Sequence, residues 1–131
     1  MKKETKQKLI EFQFLEQHLK QLEQQSNIIQ NQVIELKALS EALTDISKIK
    51  KGESVYIPLG SGFFIKTNMA DNNEILMNVG KKTILKKSYT SAIELVENQI
   101  KELEKALPEI EKEIAKIALK AQVLHQEIQK D

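Results

Sequence analysis

Apolar residues recur at alternating intervals of three and four along the first third of the chain. Written as heptads with Phe12 at position a, the series is Phe12, Leu15, Leu19, Leu22, Ser26, Ile29, Val33, Leu36, Ser40 and Leu43. Only Ser26 and Ser40 interrupt it, and a small polar residue at position a is a common register device in coiled coils. No Gly or Pro falls between Glu4 and Ile49. The pattern predicts a helix over 4–49, about 65 Å long at the usual rise per residue.

A second series is unbroken: Ile93, Val96, Ile100, Leu103, Leu107, Ile110, Ile114, Ile117, Ala121, Leu124 and Ile128. So long a 3.5-residue period implies a left-handed supercoil. It predicts a helix over 89–129. Pro108 falls at position b, away from the seam, where a local bend is expected rather than an end. Ser88, Thr90 and Ser91 are each suited to cap this helix.

The intervening stretch has another texture. Runs rich in β-branched and aromatic residues, 54–58, 63–67, 74–79 and 83–86, alternate with turn material at Gly60-Ser61-Gly62, Ala70-Asp71-Asn72-Asn73 and Gly80-Lys81-Lys82. Two β-hairpins over 53–87 are predicted. The fold class is therefore α+β, mainly α: a long antiparallel coiled-coil hairpin with two β-hairpins inserted between its helices, read as a single domain over 1–131. In the expected register Leu43 lies opposite Ile93, Leu22 opposite Ile114, Leu15 opposite Ala121 and Phe12 opposite Leu124, so both chain termini share one tip.

Composition agrees and narrows the function. Charged residues are 30% of the chain and aromatics 5%, which suits wet helices with a narrow apolar seam. The net charge is +1 and every basic residue is Lys. Without Arg, bidentate phosphate or guanine recognition loses its usual donor. The chain contains no Cys, which removes thiol catalysis and thiolate metal sites. Met1-Lys2-Lys3-Glu4 leads into charged helix, so neither signal peptide nor membrane span is expected, and the expected compartment is the cytoplasm.

No catalytic, cofactor-binding or metal constellation emerges, so the chain is expected to bind rather than to catalyse. His18 and His125 fall at flanking heptad positions and read as solvated helix surface. Gly60-Ser61-Gly62 does not precede a helix, so it reads as a hairpin turn rather than a phosphate cradle. The Glu-rich stretch 94–113 is interleaved with Lys and reads as a wet face. Residues 46–90 carry eight Lys against three acids, which suits either edge protection of strands or a nucleic-acid contact without stacking partners.

Two regions present surplus apolar surface. Val55, Ile57, Phe63, Ile65, Ile75, Met77 and Val79 exceed what two hairpins can bury alone, which points to oligomerisation through the insert, the other reading being a small β cap folded over the end of a monomeric coiled coil. Near the shared tip Ile10 and Leu119 fall at position f, and Phe14 and Val123 at position c, all facing away from the seam. Outward apolar residues gathered there mark an interaction surface, although Ile28 and Ile34 also face outward elsewhere.

The order helix, two β-hairpins, helix, with Val55-Tyr-Ile-Pro-Leu-Gly-Ser-Gly-Phe-Phe-Ile-Lys66 and Glu74-Ile-Leu-Met-Asn-Val-Gly80, resembles the α-class subunit of prefoldin. Leu85-Lys-Lys-Ser88 and Ala92-Ile-Glu-Leu95 continue the likeness. The resemblance implies an ATP-independent holdase without cofactor, in a hetero-hexamer with β-class subunits and a second copy of itself. Its hairpins would build a β-barrel platform, and its tips would hold unfolded clients for a group II chaperonin. Carried onto this chain, the client-binding tip is Leu9, Ile10, Phe12, Phe14 and Leu15 with Leu119, Val123, Leu124 and Ile128. One departure is Lys81-Lys82-Thr83 after Gly80, where the family often has a second Gly. It bears on the geometry of the second hairpin. The other readings of the chain are a structural coiled-coil tether or adaptor and a nucleic-acid-binding helical arm.

Overall fold

The residues with three-and-four spacing form two long helices. The structure, a computed structural model, describes residues 2–130; Met1 and Asp131 of the expected 1–131 domain lie outside the described residues. Helix α1 runs Lys3–Ser47 and α2 runs Tyr89–Lys130. Between them come β1 (Ser54–Gly60), β2 (Phe63–Asn68), β3 (Ile75–Gly80) and β4 (Thr83–Lys87). The chain divides into two compact units, described one at a time: the segments up to Ile34 and from Lys101, and the segment Glu35–Ile100.

In the first unit α1 and α2 run antiparallel. The Phe12 ring lies 5.4 Å from that of His125, and Lys8 Nζ sits 3.8 Å from Glu127 Oε2. These pairs match within a residue the register that sets Phe12 against Leu124. Val33, Ile117, Ala121 and Leu124 are buried in the seam, together with the polar Ser26 and Thr5. Ser26 Oγ accepts a hydrogen bond from Gln30 Nε2 at 3.1 Å, so its burial leaves the hydroxyl oxygen satisfied. Thr5 lies one heptad before Phe12, so the seam reaches about two turns further than the apolar series. Pro108 is exposed within a continuous α2, where its ring avoids the packed face.

In the second unit Leu43, Ala92, Val96 and Ile100 are the buried apolar residues. Helix α1 stops at Ser47, and Lys48 and Ile49 close its last turn with i→i−3 bonds to Asp45 and Ile46. Gly52 then takes φ +88, a left-handed conformation that favours glycine. Its N–H donates to Met69 O at 2.7 Å, and Met69 N–H donates to Glu53 O at 2.8 Å, closing the base of the first hairpin. Of the three candidate caps for α2, Ser88 serves: its Oγ accepts from Ser91 N–H at 3.1 Å.

The four strands make two separate two-stranded antiparallel sheets, β1–β2 and β3–β4. Ile57 pairs with Ile65 and Pro58 with Phe64 in the first, Met77 with Leu85 and Asn78 with Ile84 in the second. Both carry an irregularity just before the turn, after Pro58 and after Asn78. Both turns use a two-residue loop with positive φ at each position: Ser61 +51 and Gly62 +83, Lys81 +50 and Lys82 +60. That geometry matches the right-handed twist of the flanking strands. The Lys81-Lys82 turn thus shares the class of the Ser61-Gly62 turn, at the expense of two non-glycine residues in a left-handed conformation.

Candidate interaction surfaces

A hairpin sheet has two faces, and in both hairpins each face carries exposed apolar residues. On one face of β1–β2 stand Ile57, Phe63 and Ile65, all exposed, with Phe63 at 70%. Tyr56 and Phe64 are exposed on the other face, and Leu59 in the bulge is exposed too. In β3–β4, Leu76, Val79, Ile84 and Leu85 are exposed, while Ile75 and Met77 are half-buried. Ile75, Leu76 and Met77 line a groove of about 260 Å³ together with Leu39, Leu43, Ala92, Leu95 and Val96. Of the seven sequence-predicted assembly residues, Ile57, Phe63, Ile65 and Val79 are exposed, and Val55, Ile75 and Met77 are half-buried.

Period-two reasoning assigns one wet and one dry face to a strand, so it passes over Tyr56, Leu59, Phe64, Leu76, Ile84 and Leu85. The signal was present in Phe63-Phe64 and Ile84-Leu85, neighbours that must point to opposite faces of one strand. Asn72 was also passed over as turn material. Its Nδ2 donates to Ile46 O at 2.9 Å and to Ile49 O at 2.6 Å, so the linker between hairpins caps the C-terminus of α1. The same side chain buries Oδ1 without a partner.

In the first unit the terminal helical segments present a second apolar surface. Ile10, Phe14, Leu119 and Val123 are exposed, Phe14 at 67%. Leu9, Phe12, Leu15 and Ile128 are half-buried, and Leu124, at 9% exposed, belongs to the seam. Leu15, Leu119, Val123 and Leu124 line an open groove of about 440 Å³ bordered by Glu11, Lys120 and Glu127. In an antiparallel pair the g positions of the two helices face each other, and position c stands beside g on each. Val123, at c, lines this groove, and Phe14 is the c residue of the other helix, exposed. Leu124 is reached only as the groove's floor.

His18 and His125 are exposed. The Gln129 amide donates to His125 Nε2 across 3.1 Å, and the imidazole otherwise rests on Phe12. Among the described residues no group of three His, Asp or Glu side chains could hold a metal ion, and no helix is long and apolar enough to cross a membrane.

A family model described as "Prefoldin subunit" matches residues 15–131. The chain is 29% identical over 132 residues to "Prefoldin subunit alpha" of Pyrococcus horikoshii, covering 95% of this chain and 89% of that protein. It is also 29% identical to "Prefoldin subunit alpha" of Methanococcus aeolicus over 131 residues, 100% of this chain and 86% of that one. Among solved structures it is similar to a filamentous PFD from Methanocaldococcus jannaschii determined by cryo-EM. The TM-score is 0.71 at 18% identity, over 93% of this chain and 98% of that chain. The crystal structure of the prefoldin beta subunit from a Thermococcus strain is similar with a TM-score of 0.62 at 21% identity, over 98% and 92%. At such identities the two structures share the fold alone, and the family model over residues 15–131 carries the kinship.

Proposed function

The chain belongs to the prefoldin family, and from that premise we propose that it acts as one prefoldin-like domain, an α-class subunit of an ATP-independent holdase. It joins β-class subunits and a second copy of itself in a hetero-hexamer through its hairpins. Non-native proteins are held at the terminal helical segments and delivered to a group II chaperonin. The observation that carries the reading is the pair of two-stranded hairpins with apolar side chains exposed on both faces. A hairpin with two uncovered apolar faces is marginal in water and becomes stable when other strands cover it. Ile10, Phe14, Leu119 and Val123 support the second half, because they add nothing to the seam. Each contact there is weak, and several subunits around one client supply avidity.

Two measurements test this. Mixing the chain with a β-class subunit and weighing the product by light scattering should give a hetero-hexamer; a lone dimer insensitive to that partner would favour a coiled-coil tether. Within the assembled complex, Ile10→Ser combined with Phe14→Ser and Val123→Ser should weaken suppression of client aggregation and leave the mass unchanged. Undiminished suppression by that assembled variant refutes client holding at these residues.

A further inference from the structure

The groove at the terminal helical segments carries a charge pattern as well as apolar surface. Its three charged residues, Glu11, Lys120 and Glu127, all fall at heptad position g and are exposed. Residue numbers fall toward the chain termini along α1 and rise toward them along α2. Glu11 and Glu127 therefore share the end nearer the termini, and Lys120 stands at the other. Lys120 and Glu127 are seven residues apart, about 10 Å along the helix. Lys8 Nζ, 3.8 Å from Glu127, offsets part of the acidic end, where Glu11 stands as well. Between the charged ends Leu119 and Val123, four apart on α2, form an exposed apolar ridge beside Leu15.

Resting on the reading that clients are held at the terminal helical segments, we propose that this groove takes a client as an amphipathic helical segment, docked as a third helix, with a basic and an acidic residue one heptad apart. The backbone decides for a helix. Residues 11–15 and 119–126 lie inside α1 and α2, where N–H and C=O groups are bonded within their own helix. An extended segment pressed onto Leu119 and Val123 would find no backbone partner there, and its polar groups would be left unpaired where water is excluded. A helical segment arrives with its backbone already paired and lays its apolar stripe against the ridge. Charge decides the flanks. A helix lying along α2 presents residues seven apart on one line, so a basic residue meets Glu11 and Glu127 while an acidic one meets Lys120. The groove spans about two helical turns, a length at which an isolated helix is marginal in water. Docking therefore orders the segment, which suits a chain that has not yet folded.

The test titrates the full chain with labelled peptides of about 12 residues. One carries Leu at i, i+3, i+4 and i+7 with Lys and Glu seven apart; a second is its scrambled form; a third has Glu in place of the Lys. Fluorescence anisotropy gives affinity, and transferred nuclear Overhauser effects give the bound conformation. The striped peptide should bind as a helix, at least about tenfold more tightly than the scrambled one. The third peptide should bind about threefold more weakly than the first at about 0.01 M salt and equally at about 1 M. Leu119→Ser with Val123→Ser should abolish the preference for the stripe. Both residues are exposed, so helicity by circular dichroism should be kept; the peptide and salt comparisons on the wild-type chain decide the matter if it is not. Equal binding of striped and scrambled peptides, or binding of the striped peptide in an extended form, overturns the helical client while client holding stands. No peptide binding, with aggregation suppression still lost in the Ile10→Ser, Phe14→Ser and Val123→Ser variant, does the same. No peptide binding and undiminished suppression overturn both. Self-association of the chain that displaces the peptide and is lost in Leu119→Ser with Val123→Ser overturns the client in favour of a second copy.

Discussion

Asn72 offers the sharpest test of how the linker between the hairpins is tied to the first helix. Its amide donates to two carbonyls at the end of α1, Ile46 O at 2.9 Å and Ile49 O at 2.6 Å. Asn72→Ala removes both hydrogen bonds, a loss of about 2 kcal/mol at roughly 1 kcal/mol net each. It also removes the buried Oδ1 that lacks a partner, which returns about 1 kcal/mol. The expected net loss is therefore about 1 kcal/mol. Asn72→Asp keeps the shape and removes the donors, but places a carboxylate against two carbonyl oxygens. It also sets negative charge at a helix C-terminus, where the macrodipole disfavours it by up to about 1 kcal/mol. The loss should then reach about 3 kcal/mol. Urea denaturation followed by circular dichroism at matched protein concentration separates the two variants. Hydrogen exchange should locate the added opening at residues 46–53. An Asn72→Asp variant as stable as Asn72→Ala would refute the assignment of the amide as the donor.

Four further outcomes follow from the same geometry. Ile117, 4% exposed in the seam, should lose about 3 kcal/mol on Ile117→Ala, whereas Ile34→Ala at an exposed position should stay within about 0.5 kcal/mol; thermal melts of the pair check this. Lys82→Gly should raise amide protection across 76–86 by the equivalent of about 1 kcal/mol, because glycine accepts the φ of +60 without strain. Ser88→Ala should cost about 1 kcal/mol and fray residues 89–92, seen as faster exchange there, since Ser88 Oγ caps Ser91 N–H. Ile57→Asp or Ile65→Asp, each placing a charge on an exposed apolar sheet face, should lower the assembled mass in light scattering while helicity is retained.

The helices were legible because a seam is a local regularity: a period of 3.5 residues can be read from spacing alone, with burial of one stripe as its necessary outcome. The hairpin turns were legible for the same reason, as Gly60-Ser61-Gly62 and Gly80-Lys81-Lys82 stand between strand-like runs. Even the unusual Lys81-Lys82 turn shares the class of the Ser61-Gly62 turn, since the two strands constrain both residues from outside. Other features required contacts distant along the chain. Nothing within residues 70–73 signals that Asn72 will cap carbonyls twenty-three and twenty-six positions earlier. Ser88 could be separated from Thr90 and Ser91 as the cap only once the first turn of α2 was defined. Which apolar residues remain exposed was a tertiary matter too. Met77 and Val79 read alike as assembly residues, yet the first is half-buried and the second exposed. The amino-acid sequence by itself determined the elements, their pairing direction and the surplus of apolar residues, because each depends on periodicity. Only the tertiary structure decided which of those residues remain available to a partner, because availability depends on what the folded chain has already covered.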